Sequence, residues 1–224
     1  MRFLKDWKEL TVGAVGLDVT WLEEQGALVV TKSRPGFDQA GVGAIAAILR
    51  RVAMDGGDAL KFLVFDFAHD GAGATQAPEG FADIVAVTSD LIVDTPVITL
   101  AWARGLMGGL DFDFAMNCSA VVAESSADFS FAGDPFDLLG LYAALGRRIG
   151  FARAERLIES DRALSPQEAR DLLLVRDVAP ARPGHEGIAA YLAQFERRYN
   201  ASHAIYRAQR MAEPPIDRRP LLVG

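Results

Sequence analysis

Cysteine is nearly absent: Cys118 stands alone in 224 residues, so no internal disulfide can form, and a reducing, cytoplasmic setting is expected. The three histidines, His69, His185 and His203, are scattered, and none lies at a chelating spacing from another or from Cys118, which argues against a zinc centre. Long apolar runs are missing. The stretch from Thr95 to Ala103, bracketed by Asp94 and Arg104, is about half of the roughly 20 residues that a membrane-spanning helix needs. Met1-Arg2-Phe3-Leu4-Lys5-Asp6 lacks the apolar segment and small-residue cleavage site of a secretory signal. Positive charge is in deficit too: 23 Lys and Arg against 30 Asp and Glu leave a net charge of −7, with no general attraction to nucleic acid or an anionic membrane.

What the sequence does have is material for a core. Hydrophobic residues make up 50% of it and charged residues 24%, enough apolar surface to offset chain entropy. The length suits one α/β core, placed at residues 1–180, with a helical segment at 181–224. Ala27–Lys32 reads as a strand ending at the turn Ser33-Arg34-Pro35-Gly36. Asp38 can cap a helix that turns Val42, Ile45, Ala46, Ile48, Leu49 and Val52 inward and stops at Gly56-Gly57. Phe62–Phe67 is the next buried strand, followed by a glycine-rich loop and a helix carrying Phe81, Ile84, Val85, Val87 and Leu91. A second strand–loop–helix unit runs from Pro96 through Arg104-Gly-Leu-Met-Gly-Gly109 into an apolar helix near Asp111 to Cys118, and Ala120–Ala123 is a further short strand. Such alternation favours right-handed crossovers and a largely parallel sheet. Later segments are helical: Ser165-Pro-Gln-Glu168 is a capping box with proline at the first helical position, Arg182-Pro-Gly184 a hinge, and residues 187 to about 211 a last helix. Cys118 is expected to pack as a small hydrophobe, and Arg197, Arg198, Arg207 and Arg210 to form a solvated face.

Several chemistries are set aside. Gly71-Ala-Gly73 follows a strand, but Gln76 occupies the third glycine position of a dinucleotide loop and the helix starts too late. No phosphate-binding Gly-Lys-Ser/Thr loop, His-Glu-x-x-His or Gly-x-Ser-x-Gly elbow occurs. Asp111-Phe-Asp113 admits three readings: a metal pair, acids favoured by a helix dipole, or a catalytic carboxylate. The more informative pattern is two glycine-bearing turns, Ala72-Gly73-Ala74 and Gly108-Gly109, each between a buried strand and a helix. If their backbone N–H groups converge they form an oxyanion hole, in which one donor is worth about 3 kcal/mol in a transition state; two ordinary loops are the other reading.

These segments together resemble the crotonase (enoyl-CoA hydratase/isomerase) superfamily. Pro96-Val-Ile-Thr-Leu-Ala-Trp-Ala-Arg-Gly-Leu-Met-Gly-Gly-Leu-Asp111 is similar to the family segment that supplies one oxyanion N–H and an acid. Ser33-Arg34-Pro35 resembles its Asn-Arg-Pro, Ala72-Gly73-Ala74 its Ala-Gly-Ala loop, and Ala127-Asp-Phe129 its Ala-x-Phe stretch. Gly150–Ile158, Leu164–Ala169 and Leu174–Val178 resemble later family signatures, in the same order.

The resemblance implies an α/β fold with a crotonase-like ββα spiral core and a helical C-terminal region, assembled as a homotrimer or hexamer. It implies an acyl-CoA substrate, with coenzyme A part of that substrate and no tightly bound cofactor or metal. Ala74 and Gly108 would donate the oxyanion-hole N–H groups, with Ala72, Gly73, Gly109 and Phe136 lining the substrate. Asp111 falls where a family glutamate acts as acid/base, while aligning Arg104-Gly105 with the family's Asn-Gly selects Asp113 instead. The family's second glutamate, in a Pro-Glu dipeptide, is replaced at Pro135-Phe136. Hydration by two carboxylates is therefore not implied; isomerisation, decarboxylation or C–C cleavage fit one acid equally, and a non-catalytic binding or assembly subunit is the alternative.

Overall fold

A computed structural model describes residues 7–55, 59–71, 81–131, 138–160, 162–195 and 198–212. Its centre is a six-stranded sheet in the order β1-β2-β3-β4-β6-β8, formed by Leu17–Leu22, Ala27–Lys32, Phe62–Phe67, Ile98–Ala103, Ala120–Glu124 and Asp177–Ala179. β1 pairs antiparallel with β2 as a hairpin, and every later neighbour is parallel. Leu106–Gly108 (β5) and Asp128–Ser130 (β7) form a second, two-stranded sheet.

β3 and β4 are buried at every position because helices cover both sheet faces, and their sequences are accordingly apolar throughout. Leu28, Val30, Leu63, Phe65, Phe67, Ala101, Ala103 and Val121 face a large core with Gln39–Asp55 (α1) and Gly109–Asn117 (α3). The alternate residues Val29, Phe62, Val64, Leu100, Trp102 and Val122 face a smaller core under Glu186–Phe195 (α7). Phe81–Asp94 (α2) packs on α1. Leu138–Ile149 (α4), Phe151–Glu159 (α5) and Pro166–Asp171 (α6) follow β7. This mixed α/β architecture agrees with the expected class.

The inward positions foreseen for α1 are buried as expected, except that Val42 packs with Leu110 in a separate small cluster. The strand foreseen from Pro96 begins instead at Ile98, since proline has no N–H to give to the ladder. Ser165 accepts from the Glu168 N–H while the Glu168 carboxylate accepts from the Ser165 N–H, completing the capping box. Cys118 lies in the main core, and burial pushes its thiol up to about 12.

The single last helix is corrected to two, α7 and Tyr199–Ala212 (α8). α7 follows an apolar seat through Ile188, Tyr191, Leu192 and Phe195, whereas α8 has no fully buried residue and is held by the partly buried Tyr199 and Tyr206 together with polar contacts. Arg210 donates to the Thr95 carbonyl (2.9 Å) and the Ser119 hydroxyl (2.5 Å), so it is a clamp and not part of a solvated face. The proposed hinge at Arg182–Gly184 is likewise pinned, because Arg104 donates to the carbonyls of Arg182 and Gly184. Among the described residues no helix is long and apolar enough to cross a membrane.

Candidate active site

Strand alternation sorts the polar residues at the C-terminal ends of the parallel strands onto opposite faces. Lys32, the last residue of β2, shares the α1/α3 side with Phe67, its partner in β3. Thr31 and Asp66, one position earlier, form the next row and face α7. Two polar clusters result.

The first centres on Asp111. β5 ends at Gly108, whose backbone is extended (φ −156°, ψ 173°), and Gly109 then adopts φ 55°, a left-handed conformation that favours glycine and turns the chain into α3. Asp111 follows in the first helical turn, where the N-terminal dipole favours a carboxylate. Its side chain is completely enclosed. The Gly36 N–H donates to Oδ2 at 2.7 Å, Lys32 Nζ lies 2.9 Å from Oδ1, and His69 Nε2 lies 3.2 Å from Oδ2. Lys32 also donates to the Arg34 carbonyl and sits over the Phe37 ring. Burial holds its ammonium below the usual lysine range, with Asp111 opposing that shift.

His69 leaves the end of β3 and packs edge-on against Phe67. Its backbone is pressed against Gly105, where a Cβ would collide with the His69 carbonyl and the Asp70 carboxylate. That close approach draws the β3 and β4 exits together. The imidazole is 2% exposed, and among the described residues neither ring nitrogen has an aligned hydrogen-bond partner. Phe37, Val42, Leu110 and Phe114 line a small apolar crevice next to the cluster, which keeps the local dielectric low.

The second cluster lies on the α7 side. Arg104 meets Asp66 through two bonds, Nε to Oδ1 at 2.6 Å and Nη2 to Oδ2 at 3.1 Å. Its Nη1 donates to Glu124 Oε1 at 3.0 Å, an oxygen that also accepts from the Trp102 indole. His185 Nε2 lies 3.0 Å from the Thr31 hydroxyl and 3.6 Å from Asp66. With its donors directed at Asp66, Glu124 and two carbonyls, Arg104 is a structural clasp. Beyond it a cavity of about 550 Å³ opens between β8 and α7, bordered by Arg176, Arg182, Tyr191, Gln194 and Arg198. The sheet separates it from Asp111.

Of the residues singled out from sequence, Gly108, Gly109 and Asp111 stand together at the head of α3. Asp113 is also buried, but two residues on it points about 200° away around the helix, outside the Lys32–His69 group, and it has contacts of its own. Ala72, Gly73, Ala74 and Phe136 lie outside the described residues. Lys32 and His69 were not foreseen as site residues; both directly follow or end apolar strands, a weak signal that only the sheet register makes legible. No group of three or more His, Cys, Asp or Glu suited to a metal ion occurs among the described residues.

No family model matches the sequence. The chain is 37% identical over 111 residues to the mitochondrial methylglutaconyl-CoA hydratase of Rattus norvegicus; the match takes in 48% of this chain and spans about a third (34%) of that protein's length. Among solved structures, an enoyl-CoA hydratase from Mycobacterium avium subsp. paratuberculosis K-10 superposes with a TM-score of 0.72 at 22% identity, covering 88% of this chain and 85% of that one. An enoyl-CoA hydratase from Bacillus halodurans gives 0.69 at 17% identity, over 87% and 86%. A monofunctional enoyl-CoA isomerase from M. smegmatis gives 0.68 at 18%, over 84% and 91%.

Proposed function

We propose that this chain, which has the fold of the crotonase superfamily, is an enzyme that processes acyl-CoA thioesters through an enolate. The observation that carries the reading is the buried Lys32–His69–Asp111 cluster at the C-terminal ends of parallel strands, directly after the Gly108–Gly109 turn. Strand C-termini are where open α/β sheets bind their ligands.

In this reading the backbone N–H of Gly108, with that of Ala74 as the resemblance implies, receives the thioester oxygen as it gains negative charge. A base from the cluster removes a proton from the adjacent carbon and an acid returns it. Asp111 belongs to this machinery and Asp113 does not. A single proton-handling cluster fits isomerisation or another enolate reaction without requiring a second carboxylate to activate water. No resident cofactor takes part, and coenzyme A enters with the substrate. A homotrimer or hexamer is the proposed assembly, checked by light scattering of the eluted protein.

The test combines calorimetry with a panel of acyl-CoA thioesters and deuterium uptake at their α-carbon. Binding with exchange supports an enzyme, binding alone supports a carrier or assembly subunit, and neither across the panel refutes the acyl-CoA reading.

A further inference from the structure

We infer that His69 Nδ1 is the atom that carries the proton in this site, and that Asp111 is its positioning residue, an assignment that rests on the acyl-CoA reading above. The Asp111 carboxylate is already engaged on both oxygens. Lys32 Nζ lies 2.9 Å from Oδ1 as an ion pair without an aligned hydrogen bond, while the Gly36 N–H donates to Oδ2 and His69 Nε2 approaches it. Reaching a substrate directly would require it to give up these contacts and leave the Lys32 ammonium buried without its counter-charge. Neither His69 ring nitrogen has an aligned hydrogen bond among the described residues; Nε2 lies 3.2 Å from Asp111 Oδ2, whereas Nδ1 has no charged partner there either. A buried polar atom left unpaired is costly, and that cost is relieved when a substrate proton arrives there.

The arrangement sets the tautomer. A proton on Nε2, directed at Asp111 Oδ2, leaves the Nδ1 lone pair as the base. The Nε2–Oδ2 approach is 3.2 Å without an aligned hydrogen bond, and catalytic contacts of this kind commonly tighten when substrate binds. In the step itself the substrate's α-C–H bond breaks. Its electron pair moves into the thioester enolate, and the proton forms a bond to Nδ1. The resulting imidazolium lies against the Asp111 carboxylate and gives the proton back to carbon, at the same position for exchange or at the far end of an allylic system for isomerisation. The proton and electron count closes without a further reactant. Lys32 draws on the same carboxylate and so holds Asp111 in place behind the imidazole.

The experiment uses the intact protein and His69→Gln, with folding confirmed by circular dichroism. Its probes are butyryl-CoA and 3-hexenoyl-CoA. The expected result is that His69→Gln binds both within a few-fold of the parent, while deuterium uptake and double-bond migration fall by about 10²–10⁴-fold. Exchange within a few-fold of the parent in the folded variant overturns the assignment. So does failure of the parent to turn over either probe, and calorimetry then shows whether the acyl-CoA reading fails with it: no binding refutes both, whereas binding without turnover refutes the proton-carrying role and leaves a binding protein. ¹⁵N NMR of the imidazole provides a readout independent of any substrate. It is expected to show Nε2–H with Nδ1 unprotonated in the parent, and loss of that tautomer preference in Asp111→Asn. Protonation at Nδ1 in the parent, or an unchanged tautomer in Asp111→Asn, overturns Asp111 as the positioning residue.

Discussion

Replacing Arg104 with methionine is expected to be among the most damaging single changes in the protein. Methionine retains much of the aliphatic stem and removes the guanidinium, which is 16% exposed and faces Asp66 at 1% and Glu124 at 4%. Both carboxylates then stay buried without a cation, and the carbonyls of Arg182 and Gly184 lose a donor. Breaking a buried ion pair from one side costs about 3–5 kcal/mol. In a chain of this size about 2–4 °C accompanies each kcal/mol, so Tm is expected to fall by roughly 6–20 °C. Urea unfolding followed by tryptophan fluorescence measures the loss directly, because Trp102 is bonded to the same Glu124 oxygen. The triple variant Arg104→Met, Asp66→Asn, Glu124→Gln removes the uncompensated charge and is expected to recover most of the loss. If Arg104→Met alone lies within about 1 kcal/mol of the parent, below the lower bound for a buried pair, the clasp does not exist as described.

Asp111→Asn leaves the Lys32 ammonium enclosed without its partner, again at a cost of about 3–5 kcal/mol at neutral pH. Because burial already lowers Lys32 below 10.5 in the folded state, the unfolded chain binds more protons at alkaline pH; the deficit should therefore shrink as pH rises toward 10.5, which denaturant titrations at several pH values will show. Cys118, with its thiol pushed up to about 12, is expected to resist aromatic disulfide reagents until the protein unfolds, and rapid labelling of native protein would contradict its burial. Ser165→Ala should cost about 1 kcal/mol by removing the α6 cap. In the parent the Ser165 N–H and Arg162 hold Glu168 down to about 2, so its contribution is present above its ordinary 4.5 and is lost as pH falls toward 2, seen as faster amide exchange in α6. Gly105→Ala should displace the His69 backbone and reduce α-carbon exchange without abolishing thioester binding.

Local patterns were sufficient for much of the scaffold. β2 and β3 are bounded as the apolar runs are, α1 buries the six positions its periodicity selects, and α6 starts at its capping box. The two-stranded sheet was invisible because each of its strands has three residues, too few for a period to register. β1 leaves little trace in the sequence because its partly exposed residues give only weak contrast. Asp111 was legible as an acid after a glycine turn, but its partners were not: Lys32 and His69 are 79 and 42 positions away, and only the β2–β3 register and the α3 entry place them together. Asp66, Arg104 and Glu124 were hidden in the same way, since a charged residue in or just after an apolar strand carries no mark of the neighbour that neutralises it.

The aligned rows across the sheet restrict how this protein can vary. Thr31, Asp66, Trp102 and Val122 lie side by side, as do Lys32, Phe67, Ala103 and Ala123 one step further on. Deleting one residue within β3 would transfer Asp66 to the side of Lys32 and thrust Phe67 among the carboxylates, spoiling both assemblies at once. Loops between these strands can lengthen or shorten over generations, whereas an odd change inside any of the inner strands exchanges the contents of two compartments that share only a wall.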